Sequence, residues 1–193
     1  MDAYFYLLYV VAFIVLLTLL LSSFRRDNWL SASNVLLLVI GALIYDNLVL
    51  GTGSWIGEGP FLETLNSLRF WFHAFFTPLL VLFSWDTLKR ASINRAENKA
   101  SFIIAIVLTG ALILLELFLE VFKLTLQPEW KYGVLKYVPI EEASSGPPLM
   151  ILFVTTALLI AGIILWWKTK WKWMLIGVLL MIAGSVITFP IES

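Results

Sequence analysis

Six apolar runs of about twenty residues each decide what this chain can fold into, because a helix needs about that many to cross about 30 Å of hydrocarbon. They cover Ala3 to Ser22, Leu30 to Leu50, Arg69 to Leu88, Ala100 to Phe122, Leu149 to Trp167 and Trp173 to Phe189. Little of the 193-residue chain is left for connections. The expected architecture is therefore one polytopic domain, an all-α integral membrane bundle of six transmembrane helices. Composition agrees: 13% of residues are charged, against about 25% in soluble domains. The first run is expected to stay as a helix, since Met1-Asp2 offers no basic n-region and no small-residue cleavage site follows.

The distribution of Lys and Arg predicts orientation. Arg25 and Arg26 lie in the first connection, Lys89, Arg90, Arg95 and Lys99 in the third, and Lys168, Lys170 and Lys172 in the fifth. The opposite side holds only Arg69, Lys123, Lys131 and Lys136. Both termini are therefore expected to be extracytoplasmic, in the cell membrane if the chain is bacterial. Trp29, Trp85, Trp166, Trp167, Trp171 and Trp173 form the expected inner aromatic belt, and Tyr4, Trp55, Trp71 and Trp130 the outer one. Most acids fall at or beyond the outer half, which is where chemistry is to be sought.

Two long connections lie on that outer side. Residues 51–68 begin with Gly51, Gly53, Gly57 and Gly59 and continue from Pro60 into a predicted short interfacial helix. Residues 124–148 carry Trp130, Tyr132 and Tyr137 among charges and end in Gly146-Pro147-Pro148. Long loops in compact domains are often lids or binding elements.

In the third span Arg69, His73, Thr77, Ser84 and Thr87 fall within roughly 80° at about 100° per residue. Such a stripe is expected to pack inward against the second and fourth spans. It either lines a site or makes interhelical hydrogen bonds. Pro78 removes a backbone donor near its middle and frees the carbonyl of Ala74 beside His73, the chain's single histidine. In the fourth span Thr109, Glu116, Glu120 and Lys123 share a stripe. Two carboxylates at i and i+4 stand about 6 Å apart and repel, which suits one of them to hold and give a proton as a general acid. The structural alternative is a salt bridge from Arg69 to Glu116 or Glu120. Tyr45, Asp46 and Asn47, near the outer end of the second span, are placed to join the same vestibule. Ala157, Ala161 and Gly162 in the fifth span, with Gly177, Ala183, Gly184 and Ser185 in the sixth, permit close helix approach or self-association of the chain.

One histidine and no cysteine argue against a His- or Cys-based metal centre, and no cofactor is expected. Thirteen Lys and Arg balance thirteen Asp and Glu, so no basic face for nucleic acid is expected. No Gly-x-Ser-x-Gly elbow or Walker loop is present, and Gly51-Thr-Gly-Ser-Trp-Ile-Gly follows a membrane helix rather than a strand. Val138-Pro139-Ile140-Glu141-Glu142 resembles the Pro-x-Glu-Glu motif of the small membrane lycopene cyclases. The resemblance implies that Glu141 and Glu142 are acids to test for proton donation to a polyene; the alternative reading is two solvated loop acids. The aromatic pair usual after that motif is replaced here by Ala143-Ser144-Ser145-Gly146.

Three functions compete. The first is an intramembrane enzyme acting on a lipid or isoprenoid, with Glu116, Glu120, His73 and Asp46 as acid/base groups and Arg69, Thr77, Tyr45 and Asn47 as substrate-binding groups. The second is a small proton-coupled carrier using the third-span stripe. The third is a non-catalytic assembly partner. Clustering of titratable groups toward one face favours the first, with a membrane lipid or apolar small molecule as ligand.

Overall fold

The computed structural model describes residues 2–24, 34–140 and 149–186. Helices α1 (Asp2–Phe24), α2 (Val35–Ile56), α3 (Pro60–Phe76), α4 (Leu79–Arg90) and α5 (Lys99–Leu119) come first. A 3-10 turn (Val121–Lys123) then leads into strands β1 (Leu126–Lys131) and β2 (Val134–Pro139), followed by α6 (Leu149–Thr169) and α7 (Trp173–Val186). Five segments are long and apolar enough to cross a membrane: α1, α2, α3 with α4 as one unit, α5 with its 3-10 turn, and α6. The chain is thus a multi-pass helical membrane protein. Over its described residues α7 is apolar but shorter than the other five, and residues 187–189 of the expected sixth span lie outside the described residues.

The glycine-rich stretch after Leu50 is helix rather than loop, and α2 continues through it to Ile56. Close packing explains why glycine stands there. A Cβ at Gly51 would meet Leu7 of α1 at 3.0 Å, and one at Gly53 would fall onto the carbonyl of Leu135 in β2. Both glycines let a neighbouring chain approach the helix backbone, and that contact offsets their low helix propensity. Only residues 57–59 separate α2 from α3. Gly57 turns at φ 82°, a conformation other residues avoid, and Pro60 occupies the first turn of α3, where its missing N–H costs nothing.

The expected interfacial helix from Pro60 is therefore the start of α3 itself. From Pro60 to Arg90 the segment is 31 residues, or about 46 Å of helix, longer than the about 30 Å of hydrocarbon. Thr77-Pro78 interrupts it, as the missing proline donor requires. Thr77 N–H still reaches the His73 carbonyl at 3.1 Å, but the next bonds shorten to three-residue steps, Leu80 N–H to Thr77 and Val81 N–H to Pro78.

Over residues 126–139 the second long connection is an antiparallel hairpin in the register Lys131↔Val134 to Leu126↔Pro139. Tyr132 (φ 54°) and Gly133 (φ 78°) form a two-residue loop with both φ positive, the turn whose twist matches that of paired strands. Pro128 is tolerated because β1 is an edge strand. The hairpin adds a small sheet to the otherwise helical fold and caps one end of the bundle. Leu135, fully buried, packs with Val49, Leu62 and Tyr137 where β2 crosses α2 and α3.

A second core joins α4, α5, α6 and α7 through Val81, Leu112, Met150, Val154, Leu165 and Met174. Gly162 brings the backbone of Leu175 within 3.0 Å of where a Cβ would sit, so part of the small-residue surface of the last two helices closes α6 onto α7. Gly177 and Gly184 face open space. Helix α1 is peripheral, with Val10 its buried apolar residue.

Candidate functional site

The hairpin and the first turns of α3 assemble a polar cluster on α2 and α3. Its centre is Asn66, 0% exposed, which uses both ends of its amide. Nδ2 donates to the Leu62 carbonyl at 2.8 Å. Oδ1 accepts from Arg69 Nη1 at 2.7 Å and from the Tyr137 backbone N–H at 3.2 Å. The Tyr137 hydroxyl in turn accepts from the Gly59 N–H at 3.0 Å. One buried side chain thus ties α3 to β2 and orients a guanidinium.

Arg69 Nε donates to Asp46 Oδ1 at 2.7 Å. The arginine side chain is 15% exposed and the carboxylate 38%. The pair joins α2 to α3 and replaces the expected bridge from Arg69 to Glu116 or Glu120. Tyr45 donates its hydroxyl to the Leu65 carbonyl at 2.9 Å and meets the ring of Phe72 edge-on, reinforcing the same helix pair. Asn47 is buried and its Nδ2 donates to the Leu43 carbonyl of its own helix at 2.8 Å.

His73 lies seven residues after Asn66, within about 20° on the helix surface and about 10 Å further along. Its Nδ1 is 3.1 Å from the Thr77 hydroxyl, and its ring interacts electrostatically with both Asp46 and Arg69. His73 is exposed. The expectation that the whole stripe turns inward therefore fails at this residue. The physical reason is that the hairpin covers this face of α3 at the level of Asn66 and does not extend to the level of His73. Further along, Ser84 and Thr87 donate to the carbonyls of Leu80 and Phe83 in their own helix, as Thr109 does to Ala105.

Glu116 and Glu120 form a separate group. They interact with each other, at the point where α5 ends and the 3-10 turn begins. The α5 surface beside them packs on a different side of α3, where Ala74 meets Leu117 and Val121 and the Trp71 ring meets Phe122 at 5.9 Å. Glu141 and Glu142 lie outside the described residues. Among the described residues no group of three or more His, Asp or Glu side chains converges.

A cavity of about 640 Å³ opens at the capped end on the side of α3 away from Asp46. Pro60, Glu63, Thr64, Ser67, Leu68 and Trp71 of α3 line one wall, and residues 124–126 with Ile140 the other. Glu63, Thr64, Ser67 and Thr125 are its polar lining, and Leu68, Trp71, Leu124, Leu126 and Ile140 make the rest largely apolar.

Sequence reasoning missed Asn66 and the hairpin. The signal for both was present: Asn66 is one helical turn before Arg69, and Tyr132-Gly133 separates two six-residue runs. Together these features define a multi-pass membrane protein with a strand-capped end and an ion-paired cluster on one helix face. No protein-family model matches the chain, and neither a curated protein nor a solved structure shows significant similarity to it.

Proposed function

We propose that this protein acts on, or carries, a membrane lipid or similar apolar small molecule at the flank of α3 below its hairpin cap, with His73 as the proton-exchanging group. The observation that carries this reading is His73 itself. It is exposed on the flank of α3 at a depth about 25 Å from Arg90 along the helix, and it is held by Thr77 and flanked by the Asp46–Arg69 pair. A titratable ring open to the side of a membrane helix is accessible to a substrate arriving within the bilayer, and intramembrane ionisable groups mark functional sites by default. Asp46 and Arg69 neutralise each other, so Arg69 serves to position Asp46 rather than to capture an anion. Glu116 and Glu120 would act as a second acid on another side of α3. In the same reading the chain has six spans with both termini extracytoplasmic, placing the hairpin outside, supported by the nine-to-four division of Lys and Arg.

A carrier pathway is the weaker reading. It needs polar groups free to serve a solute, whereas Ser84, Thr87 and Thr109 donate to their own helices. The test is a thermal melt of purified parent and His73→Gln in detergent, with and without extracted membrane lipid. The lipid-dependent rise in midpoint should be present in the parent and lost in the variant, while the lipid-free midpoints agree within about 2 °C, since surface substitutions cost little. Equal lipid shifts in both proteins, or none in the parent, would remove the support for His73.

A further inference from the structure

The opposite end of the bundle holds a second cavity, of about 330 Å³, between the end of α4 and the start of α5. It is lined by Trp85, Asp86, Lys89, Glu97, Asn98, Lys99 and Phe102. Its aromatic wall is fixed. The Trp85 indole N–H donates to the Ala96 carbonyl at 3.0 Å and to the Ser101 hydroxyl at 3.2 Å, and its ring lies 4.7 Å from that of Phe102. The Lys89 ammonium stands 5.1 Å above Trp85, which holds it over the wall without consuming its charge. Asp86 is bound by Arg90 at 2.9 Å. Among the described residues neither Lys89 nor Lys99 takes part in an ion pair. The lining carries two cations, Lys89 and Lys99, and two acids, Asp86 and Glu97; with Asp86 bound by Arg90, Glu97 is the acid that the two lysines face within the lining.

We propose that this cavity binds the phosphate headgroup of an anionic membrane phospholipid, with Lys89 and Lys99 contacting the phosphate and the apolar flank of α5 receiving an acyl chain. Depth supports a lipid over a free solute. The membrane-spanning segments end at Arg90 and begin at Lys99, so the cavity sits where both helices leave the hydrocarbon. Phe102 and Ile106, one helical turn apart, are 41% and 45% exposed and continue from the cavity along the apolar span. One lysine over an aromatic wall and a second lining the same cavity, with an open apolar track beneath, match a headgroup followed by its chain. Basic pockets between transmembrane helices take anionic headgroups for the same reason.

The full chain in detergent, titrated with phosphatidylglycerol or phosphatidylcholine and read by native mass spectrometry, tests the proposal. Phosphatidylglycerol should bind more tightly than phosphatidylcholine. The Lys89→Gln/Lys99→Gln double variant should weaken its tightest site by about twenty-fivefold, or about fivefold per lysine. The Lys89→Arg/Lys99→Arg variant should keep most of the affinity, and Lys168→Gln/Lys172→Gln, in another basic connection, should change it by less than about twofold. Should the double glutamine variant fail to fold, Lys99→Gln alone carries the test with about fivefold weakening. Equal binding of the two lipids overturns the proposal, as does equal weakening by the two glutamine pairs. Glycerol phosphate binding as tightly as phosphatidylglycerol would overturn the lipid as ligand.

Discussion

Replacing Gly53 by alanine asks whether helix propensity or hairpin docking governs the capped end. Propensity alone favours alanine by up to about 1 kcal/mol in a helix interior. The new Cβ, however, would fall onto the Leu135 carbonyl, with the carbonyl carbon at 3.2 Å. Carbon–oxygen contacts become comfortable only beyond about 3.3 Å, so the oxygen and its strand must retreat by about an ångström or more. Three linked interactions resist that movement: the packing of fully buried Leu135 against Val49 and Leu62, the Tyr137 N–H bond to Asn66, and the Gly59 N–H bond to the Tyr137 hydroxyl. Overpacking of this kind costs about 1–3 kcal/mol, and the loss of one such hydrogen bond adds about 1 kcal/mol. After the propensity gain, the expected net loss is about 1–3 kcal/mol. Gly41→Ala is the control, because nothing lies within 4 Å of its added carbon; it should be neutral or slightly stabilising. Thermal melts in detergent give the stabilities, and amide exchange over residues 134–139 locates the change. If Gly53→Ala melts with the parent and its hairpin amides exchange no faster, the close approach of β2 to α2 is wrong.

Asn66→Ala should destabilise by about 2–4 kcal/mol in the same melts, because it strands the buried Tyr137 N–H and one arm of Arg69. An Asp46→Asn, Arg69→Gln double-mutant cycle should give a coupling of about 0.5–3 kcal/mol, as expected of a directly bonded, partly buried pair; independent effects would show that the contact does not stabilise the protein. Single cysteines at Ser92 and Gln127, in a chain with no cysteine of its own, test orientation. In intact cells an impermeant thiol reagent should label the Gln127 site and spare the Ser92 site, and the reverse pattern would invert the topology.

Helix positions were legible because hydrocarbon thickness sets a length that a run of apolar residues either meets or does not. The ends of those helices were less legible. Gly51 and Gly53 look like a loop when propensity is the guide; only the approach of Leu7 and Leu135 shows why a helix tolerates them. Pro60 marks a helix start, but its distance from the apolar stretch beginning at Arg69 made one helix look like two. The hairpin was hidden for a related reason. Its strands alternate weakly, since β2 buries the adjacent residues Val134 and Leu135, and charges at Glu129, Lys131 and Lys136 resemble an ordinary exposed loop.

The partner of Arg69 shows what a stripe on one helix leaves open. Sequence depth places Arg69, Glu116 and Glu120 at similar distances from their helix ends, and charge balance then favours a bridge among them. Depth gives one coordinate, however, and the rotation of α3 supplies the other. Trp71 and Ala74 form the side of α3 that meets α5, and Trp71 lies about 160° around the helix from Arg69. Once that aromatic side seats against Leu117 and Phe122, the guanidinium points toward α2, where Asp46 accepts it. The apolar side thereby decides which acid the arginine meets. Two acidic groups at comparable depth are kept apart, one neutralised beside His73 and the other on α5. Exchanging their roles would require α3 to turn by nearly half a revolution, exposing Ala74 and burying His73.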